Sequence, residues 1–278
     1  MKADDVVPSF AAGGSPEISA SDVAVTTSVS PTDSATRHAK AAAAELGCSF
    51  RARSRESLQD IRCETGCPYL IVITGEEVRF VSSSETFWFH PNMARTRIEV
   101  ILQGGLDRLG EFIGLKPGDR VLDATCGLGA DAITAAHLTG ETGRVLALER
   151  SEVLAAIVRH GAALYRHRTE EVVQAMRRVE VVTGHAGEYL AAQMEGAWDI
   201  VYFDPMFEQT FGASQGLDLV RTLAWPEPTT PELIIEAQRV AARCVVMKDR
   251  APGRRLKALG FDSVSENGKV CYGKLERL

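Results

Sequence analysis

Residues 121–131, Val-Leu-Asp-Ala-Thr-Cys-Gly-Leu-Gly-Ala-Asp, constrain the fold of this 278-residue chain more than any other stretch. A short apolar run ends in Asp123, breaks into a turn carrying Gly127 and Gly129, and passes into 132–138, where apolar spacing and good helix formers predict a helix. Upstream, Leu115-Lys116-Pro117-Gly118-Asp119 reads as the turn into the strand. Strand, glycine turn and helix in that order make a βα unit of the nucleoside-binding kind. Glycine there permits a sharp turn and lets a ligand approach closely, because no Cβ stands in the way.

The rest of the chain from 120 onward keeps alternating. Strand-like runs at 145–149, 179–183, 200–204 and 245–248 are separated by helical patterns, which predicts an α/β, Rossmann-like, doubly wound and mostly parallel seven-stranded sheet. The end differs: 261–265 and 270–275 flank Asn267-Gly268, a hairpin signal that gives the sheet a terminal antiparallel strand. That layout belongs to class I methyltransferases, whereas a dinucleotide-binding domain usually ends parallel. Before the glycine loop, a helix over 35–46 with Gly47 as its C-cap and a hairpin of 69–74 with 78–81 predict a small N-terminal α+β subdomain over 34–90. Residues 1–33, rich in Ser, Ala, Thr, Val, Gly and Pro, are expected to form a disordered tail, and 91–278 the larger domain.

The charges around the glycine turn bear on the ligand. Gly127-Leu128-Gly129-Ala130-Asp131-Ala132 satisfies a relaxed dinucleotide fingerprint with Glu149 placed as a ribose-binding acid, so an NAD-linked oxidoreductase is the alternative reading. Asp123 argues the other way, since a carboxylate before the first glycine repels a pyrophosphate. A cationic ligand suits it better. S-adenosylmethionine (SAM) carries a sulfonium, an ammonium and two ribose hydroxyls, which acids at 123, 131 and 149 can meet.

A second constellation lies at 198–207, Trp-Asp-Ile-Val-Tyr-Phe-Asp-Pro-Met-Phe. An apolar strand ends in Asp204-Pro205-Met206-Phe207 at the edge where open α/β sheets bind ligands. It resembles the Asp-Pro-Pro-Tyr motif of methyltransferases acting on planar amines. The lone pair of such an amine is delocalised into the ring. Hydrogen bonds accepted by Asp204 and the Pro205 carbonyl return electron density to nitrogen, and Phe207 can stack on the base and align it. Reaching a base within folded RNA can require flipping it out.

Together with Leu148-Glu149-Arg150, His185-Ala186 and Val245-Val246-x-Lys248, these segments resemble the RsmJ (YhiQ) family, which methylates the N2 amine of a guanine in 16S ribosomal RNA. The resemblance covers roughly 90–250. It implies cofactor contacts at Ala130, Asp131, Glu149, Arg150, Ala186, Gly187 and Asp204, beside Asp123, Gly127 and Gly129 of the loop, with His185 bordering the adenine. It implies RNA as partner, with Asp204, Pro205 and Phe207 as catalytic residues and Met206, Lys248 and Arg250 on the substrate side. Lys248, ending a strand at the ligand edge, is a candidate for a substrate phosphate or carboxylate. The chain departs from the family after Phe207, where Glu208-Gln209-Thr210-Phe211-Gly212 replaces a Pro-His-Lys and lysine-rich run. That departure keeps a non-catalytic SAM- or RNA-binding module as a further alternative.

A formal charge of -6 excludes a globally basic nucleic-acid scaffold, so RNA contact must be local, with Arg250, Arg254, Arg255 and Lys257 as the densest cationic cluster near this edge. Of six cysteines only Cys63 and Cys67 are close, a weak zinc signal; free thiols and no metal are expected. No apolar run approaches the length of a membrane span and no signal-peptide pattern opens the chain, which predicts a cytoplasmic protein without membrane contact.

Overall fold

The structure is a computed structural model and describes residues 18–205, 217–225, 228–263 and 269–277. Two sheets organise it. The first comprises β1 (Val23–Thr27), β2 (Ser49–Arg51), β3 (Tyr69–Ile73), β4 (Val78–Val81) and β5 (Thr86–Trp88) in the order β2-β1-β3-β4-β5, with α1 (Asp33–Leu46) and α2 (Leu58–Thr65) between its early strands. Thr32 caps α1 by accepting a bond from the Ala35 N–H, and Gly47 ends it in the left-handed region at φ +62°. The expected hairpin is present, Ile73 pairing with Val78 across its turn.

The stretch 18–33 departs from the expected tail. β1 lies within it, all five of its residues are buried, and it pairs in parallel with both β2 and β3. Val-Ala-Val-Thr-Thr is short but β-branched; averaged over 33 residues of Ser, Gly and Pro, its propensity disappeared. Val23 and Val25 face the main core, Ala24 the smaller cluster under α2, so both faces of the strand are covered. Residues 1–17 lie outside the described residues.

After α3 (Asn92–Leu102) and α4 (Arg108–Ile113), the second unit runs β6 (Arg120–Asp123), α5 (Ala130–Thr139), β7 (Arg144–Glu149), α6 (Glu152–Leu164), α7 (Glu170–Arg178), β8 (Val179–Thr183), α8 (Ala186–Ala191), β9 (Trp198–Phe203), α9 (Leu217–Leu223), α10 (Pro231–Val240), β10 (Ala241–Arg250), α11 (Arg254–Ala258), β11 (Asp262–Ser263) and β12 (Val270–Glu276). Its seven strands follow the order β11-β12-β10-β9-β6-β7-β8. Strands β8, β7, β6, β9 and β10 are mutually parallel, while β12 is antiparallel to both β10 and β11. The last strand of the chain is thus inserted one position in from the edge; the Asn267-Gly268 turn leading to it lies outside the described residues.

Helix α6 joins the two sheets. Its residues contribute to the same apolar cluster as β1, β4 and α1. The Phe89 ring lies so close to Gly161 that a Cβ there would sit 2.3 Å from Cδ1 of the phenylalanine. Beside it, Glu45 of α1 pairs with Arg159 and His160 of α6, and the His38 and His160 Nδ1 atoms are 3.0 Å apart. Alanine at a helix interior normally gains about 1 kcal/mol over glycine. At 161 the sign reverses: Gly161→Ala is expected to lower the unfolding free energy by about 1–3 kcal/mol through overpacking against Phe89, read as a lower urea midpoint at unchanged slope.

Candidate functional site

The central strands bring both sequence motifs to one rim. Asp123, the last residue of β6, is the register partner of Tyr202 on β9, and Phe203 partners Met247 on β10. The carboxyl ends of three adjacent parallel strands thereby carry Asp123, Asp204 and Lys248 side by side. The loop after β6 is tied to both neighbours: Ala124 N–H donates to the Tyr202 carbonyl at 2.8 Å and Cys126 N–H to the Leu148 carbonyl at 2.8 Å. Gly127 (φ +52°) and Gly129 (φ +77°) take the left-handed conformations that turn the chain into α5. The two loops meet directly, the Asp204 N–H donating to Thr125 Oγ1 at 2.5 Å.

A chain of alternating charges runs into this rim from α4. Asp107 caps α4 through the Gly110 N–H and receives Arg97 of α3 bidentately, at 2.7 and 2.9 Å. Arg97 also pairs with Asp131, which accepts from the Tyr202 hydroxyl at 2.9 Å and lies 3.4 Å from Lys248 Nζ. Lys248 in turn holds Asp204 Oδ2 at 2.7 Å. Burial works against the charges of Arg97 and Lys248, but their carboxylate partners outweigh it and raise both. Burial likewise pushes Asp131 up, and Lys248, Arg97 and the Tyr202 hydroxyl more than reverse it. Asp204, at the end of the chain, is raised to about 6 by burial, with Lys248 opposing and Asp131 adding to the rise.

Asp123 is different. It is 2% exposed and accepts one bond, from the Thr125 N–H at 3.0 Å. Burial pushes it up to about 8; the Thr125 N–H opposes, and the carboxylates of Asp131, Asp204 and Glu149 reinforce the rise. A buried acid facing three others, with no cation of its own among these contacts, is suited to a ligand that brings positive charge. Glu149 ends β7 and receives the Gly127 and Ser151 N–H groups at 2.9 Å each, which fixes the glycine turn against the neighbouring strand.

An open cavity of about 410 Å³ is lined by Arg150, His185 and Gly187 on one side and by Thr230, Leu233 and Glu236 of the α10 segment on the other. The Arg150 guanidinium lies 4.2 Å over the Trp225 ring. His185 caps α8, its Nδ1 accepting from the Glu188 N–H, and a Cβ at Gly187 would come within 2.9 Å of its ring. Ala186 points into the core at 5% exposure, so only its backbone is available to a ligand. Ala130 opens α5 directly after Gly129, and Pro205 is buried. Met206 and Phe207 lie outside the described residues.

Two expectations change. Lys248 is not a free cation for a substrate phosphate or carboxylate, because Asp204 and Asp131 already claim its ammonium. The Asp131 carboxylate is spent on Arg97, Tyr202 and Lys248, which leaves its backbone for a cofactor. Arg250 donates its N–H to Asp249 Oδ1, and Asp249 Oδ2 takes the Arg255 and Leu256 N–H groups, anchoring α11 at this edge. Sequence reasoning missed Asp107, Tyr202 and Thr125 as site residues. Tyr202 was within reach, since the period of two along a strand puts it on the same face as Asp204.

The Asp123 environment predicts a pH signature. With a folded value of about 8 the native chain keeps a proton that the unfolded chain has released, so this group's contribution to stability falls as pH rises from about 4 to about 8. Asp123→Asn keeps the acceptor for Thr125 without the charge. It is expected to raise the melting temperature at about pH 9 and to leave it nearly unchanged at about pH 4, as read by calorimetry of the ligand-free chain.

The profile of a family described as "Putative SAM-dependent methyltransferase" matches residues 91–264. The uncharacterized protein YpiP of Bacillus subtilis is 33% identical over 238 residues, 86% of this chain and 93% of its own length. Ribosomal RNA small subunit methyltransferase J of Thioalkalivibrio sulfidiphilus is 34% identical over 146 residues, 50% of this chain and 56% of its own. For the enzyme of that name from Laribacter hongkongensis the figures are 36%, 49% and 49%, so the matched region spans about half of each of these relatives. A crystal structure of a SAM-dependent methyltransferase from Neisseria gonorrhoeae shares the fold, with a TM-score of 0.59 at 18% identity over 91% of this chain and 96% of that one.

Proposed function

This chain belongs to that family of SAM-dependent methyltransferases, and we propose that it carries the methyl group to an exocyclic amine of an RNA base. SAM, rather than a nicotinamide dinucleotide, is the cofactor of the family. The residues present fit it: Asp123 is buried at the start of the glycine loop with no cation paired to it among the described residues, suited to the ammonium and sulfonium, and Glu149 ends the neighbouring strand where ribose hydroxyls can donate to it. Arg150, next in sequence to Glu149, borders with His185 and Gly187 the cavity that suits the adenine.

The observation that carries the acceptor reading is the bond from the Asp204 N–H to Thr125 Oγ1. It joins the Asp204-Pro205 turn and the glycine loop along one rim. SAM supplies an electrophilic methyl carbon on a sulfonium. Asp204 accepts an amine N–H through a carboxylate whose other oxygen is held by Lys248, and receives the proton as the nitrogen loses it. Pro205 fixes the turn, and Phe207 takes the stacking role its place in the motif implies. Alignment of cofactor and acceptor along that rim lowers the barrier by removing orientational freedom before reaction.

Two sources support RNA, and guanine N2 of small-subunit rRNA within it: the resemblance of the Asp-Pro-Met-Phe segment, and the names of the relatives that share about half their length with this chain. The same reading places the reaction in the cytoplasm, in keeping with cysteines that lack disulfide spacing; among the described residues no helix is long and apolar enough to cross a membrane.

Incubation with methyl-tritiated SAM and deproteinised small-subunit rRNA is the test. Label is expected in RNA and, after nuclease digestion, in an N-methylated purine, with Asp204→Asn lowering the rate by ~100-fold or more. Label confined to protein or small molecules, or full transfer by Asp204→Asn, would contradict the assignment.

A further inference from the structure

We infer that Lys248 is a specificity-determining residue, one that lets the site accept a neutral planar amine and turn away a protonated alkyl amine; this rests on the reading of Asp204 as the acceptor-binding group. Asp204 is the most solvent-accessible carboxylate of the ion chain, at 27% side-chain exposure against 11% for Asp131 and 6% for Asp107. It is the member an incoming acceptor meets. Its Oδ2, however, already holds an ammonium at 2.7 Å.

An alkylammonium brought to Asp204 therefore finds its counter-charge taken and a like charge beside it. Nor can Lys248 withdraw without cost, because its second partner, Asp131, is pinned by Arg97 and the Tyr202 hydroxyl. A nucleobase amine or carboxamide brings no charge on arrival and needs only an acceptor for its N–H, which Oδ1 of Asp204 offers.

The balance of the reaction points the same way. The N–C bond forms as the S–C bond breaks, and one N–H proton passes to Asp204; the products are the methylated amine, the thioether and a neutral carboxyl. Three carboxylates and two cations in the chain Asp107-Arg97-Asp131-Lys248-Asp204 sum to one net negative charge, cancelled by that proton. An alkylammonium would have to surrender a proton before it could attack. A carboxylate that titrates near 6 is a poor base for a group that holds its proton to about 10.

The experiment measures binding of two probes, guanosine and n-butylammonium, to the full chain loaded with S-adenosylhomocysteine. It compares wild type with Lys248→Met, Lys248→Gln and Lys248→Arg; glutamine keeps a donor for Asp204 without the charge, so the test survives if the methionine variant fails to fold. Wild type and Lys248→Arg are expected to bind n-butylammonium at least tenfold more weakly than Lys248→Gln or Lys248→Met, and adding Asp204→Asn to either neutral variant should erase the gain. A lysine that merely supports the fold would weaken both probes alike and would not be replaced by arginine with the same discrimination. Equal n-butylammonium affinity in wild type and Lys248→Gln overturns the inference. If the neutral variants gain n-butylammonium while no form binds guanosine, the role of Lys248 stands and the nucleobase reading fails.

Discussion

The structure depends on a line of alternating charges that starts at the cap of α4 and ends at Asp204. Such a line is costly to assemble, since each charge leaves water, and it stays folded because every interior member has two partners of opposite sign. Its consequence is geometric. Helices that precede the glycine loop in sequence bear on the ionisation and direction of a carboxylate some hundred residues later, at the end of the second strand in from one edge of the sheet's parallel part.

Around that line the site divides its acids by environment. Asp131 is compensated and stays charged, whereas Asp204 has Lys248 on Oδ2 and is pushed up by burial and by the neighbouring Asp131. Asp123 has no cation paired to it among the described residues, and burial pushes it up to about 8. Three identical functional groups within one rim thus sit in three electrostatic environments, which the proposed mechanism uses for support, acceptance and cation recognition. The uncompensated one destabilises the empty protein, a strain of the sort that collects at binding sites and is relieved when a ligand arrives.

Much of the sheet and the glycine loop were legible in the sequence because they rest on local signals: apolar runs ending in Asp, and glycines where positive φ is required. β1 was not, since five residues of moderate β propensity in a Ser- and Gly-rich stretch acquire their meaning only by pairing with β2 and β3. The ion pairs of Lys248 were not legible, because its partners lie just after β9 and on α5 and no spacing rule links 248 to 131 or 204. The role of Arg97 comes from Asp107 and Asp131 closing on it from either side, which no local pattern announces. Local grammar reveals elements, while the charge pairing that tunes them is a property of the packed molecule.

The central claim is that the two loops form a single rim on which an adenosyl cofactor presents its sulfur to Asp204. A crystal structure of the chain with S-adenosylhomocysteine tests it most directly. Density for the ribose at Glu149, the adenine between Arg150 and His185, and the sulfur on the Asp204 side of the glycine turn is the predicted result. Density for the ligand elsewhere, or with its sulfur turned away from Asp204, would contradict the account.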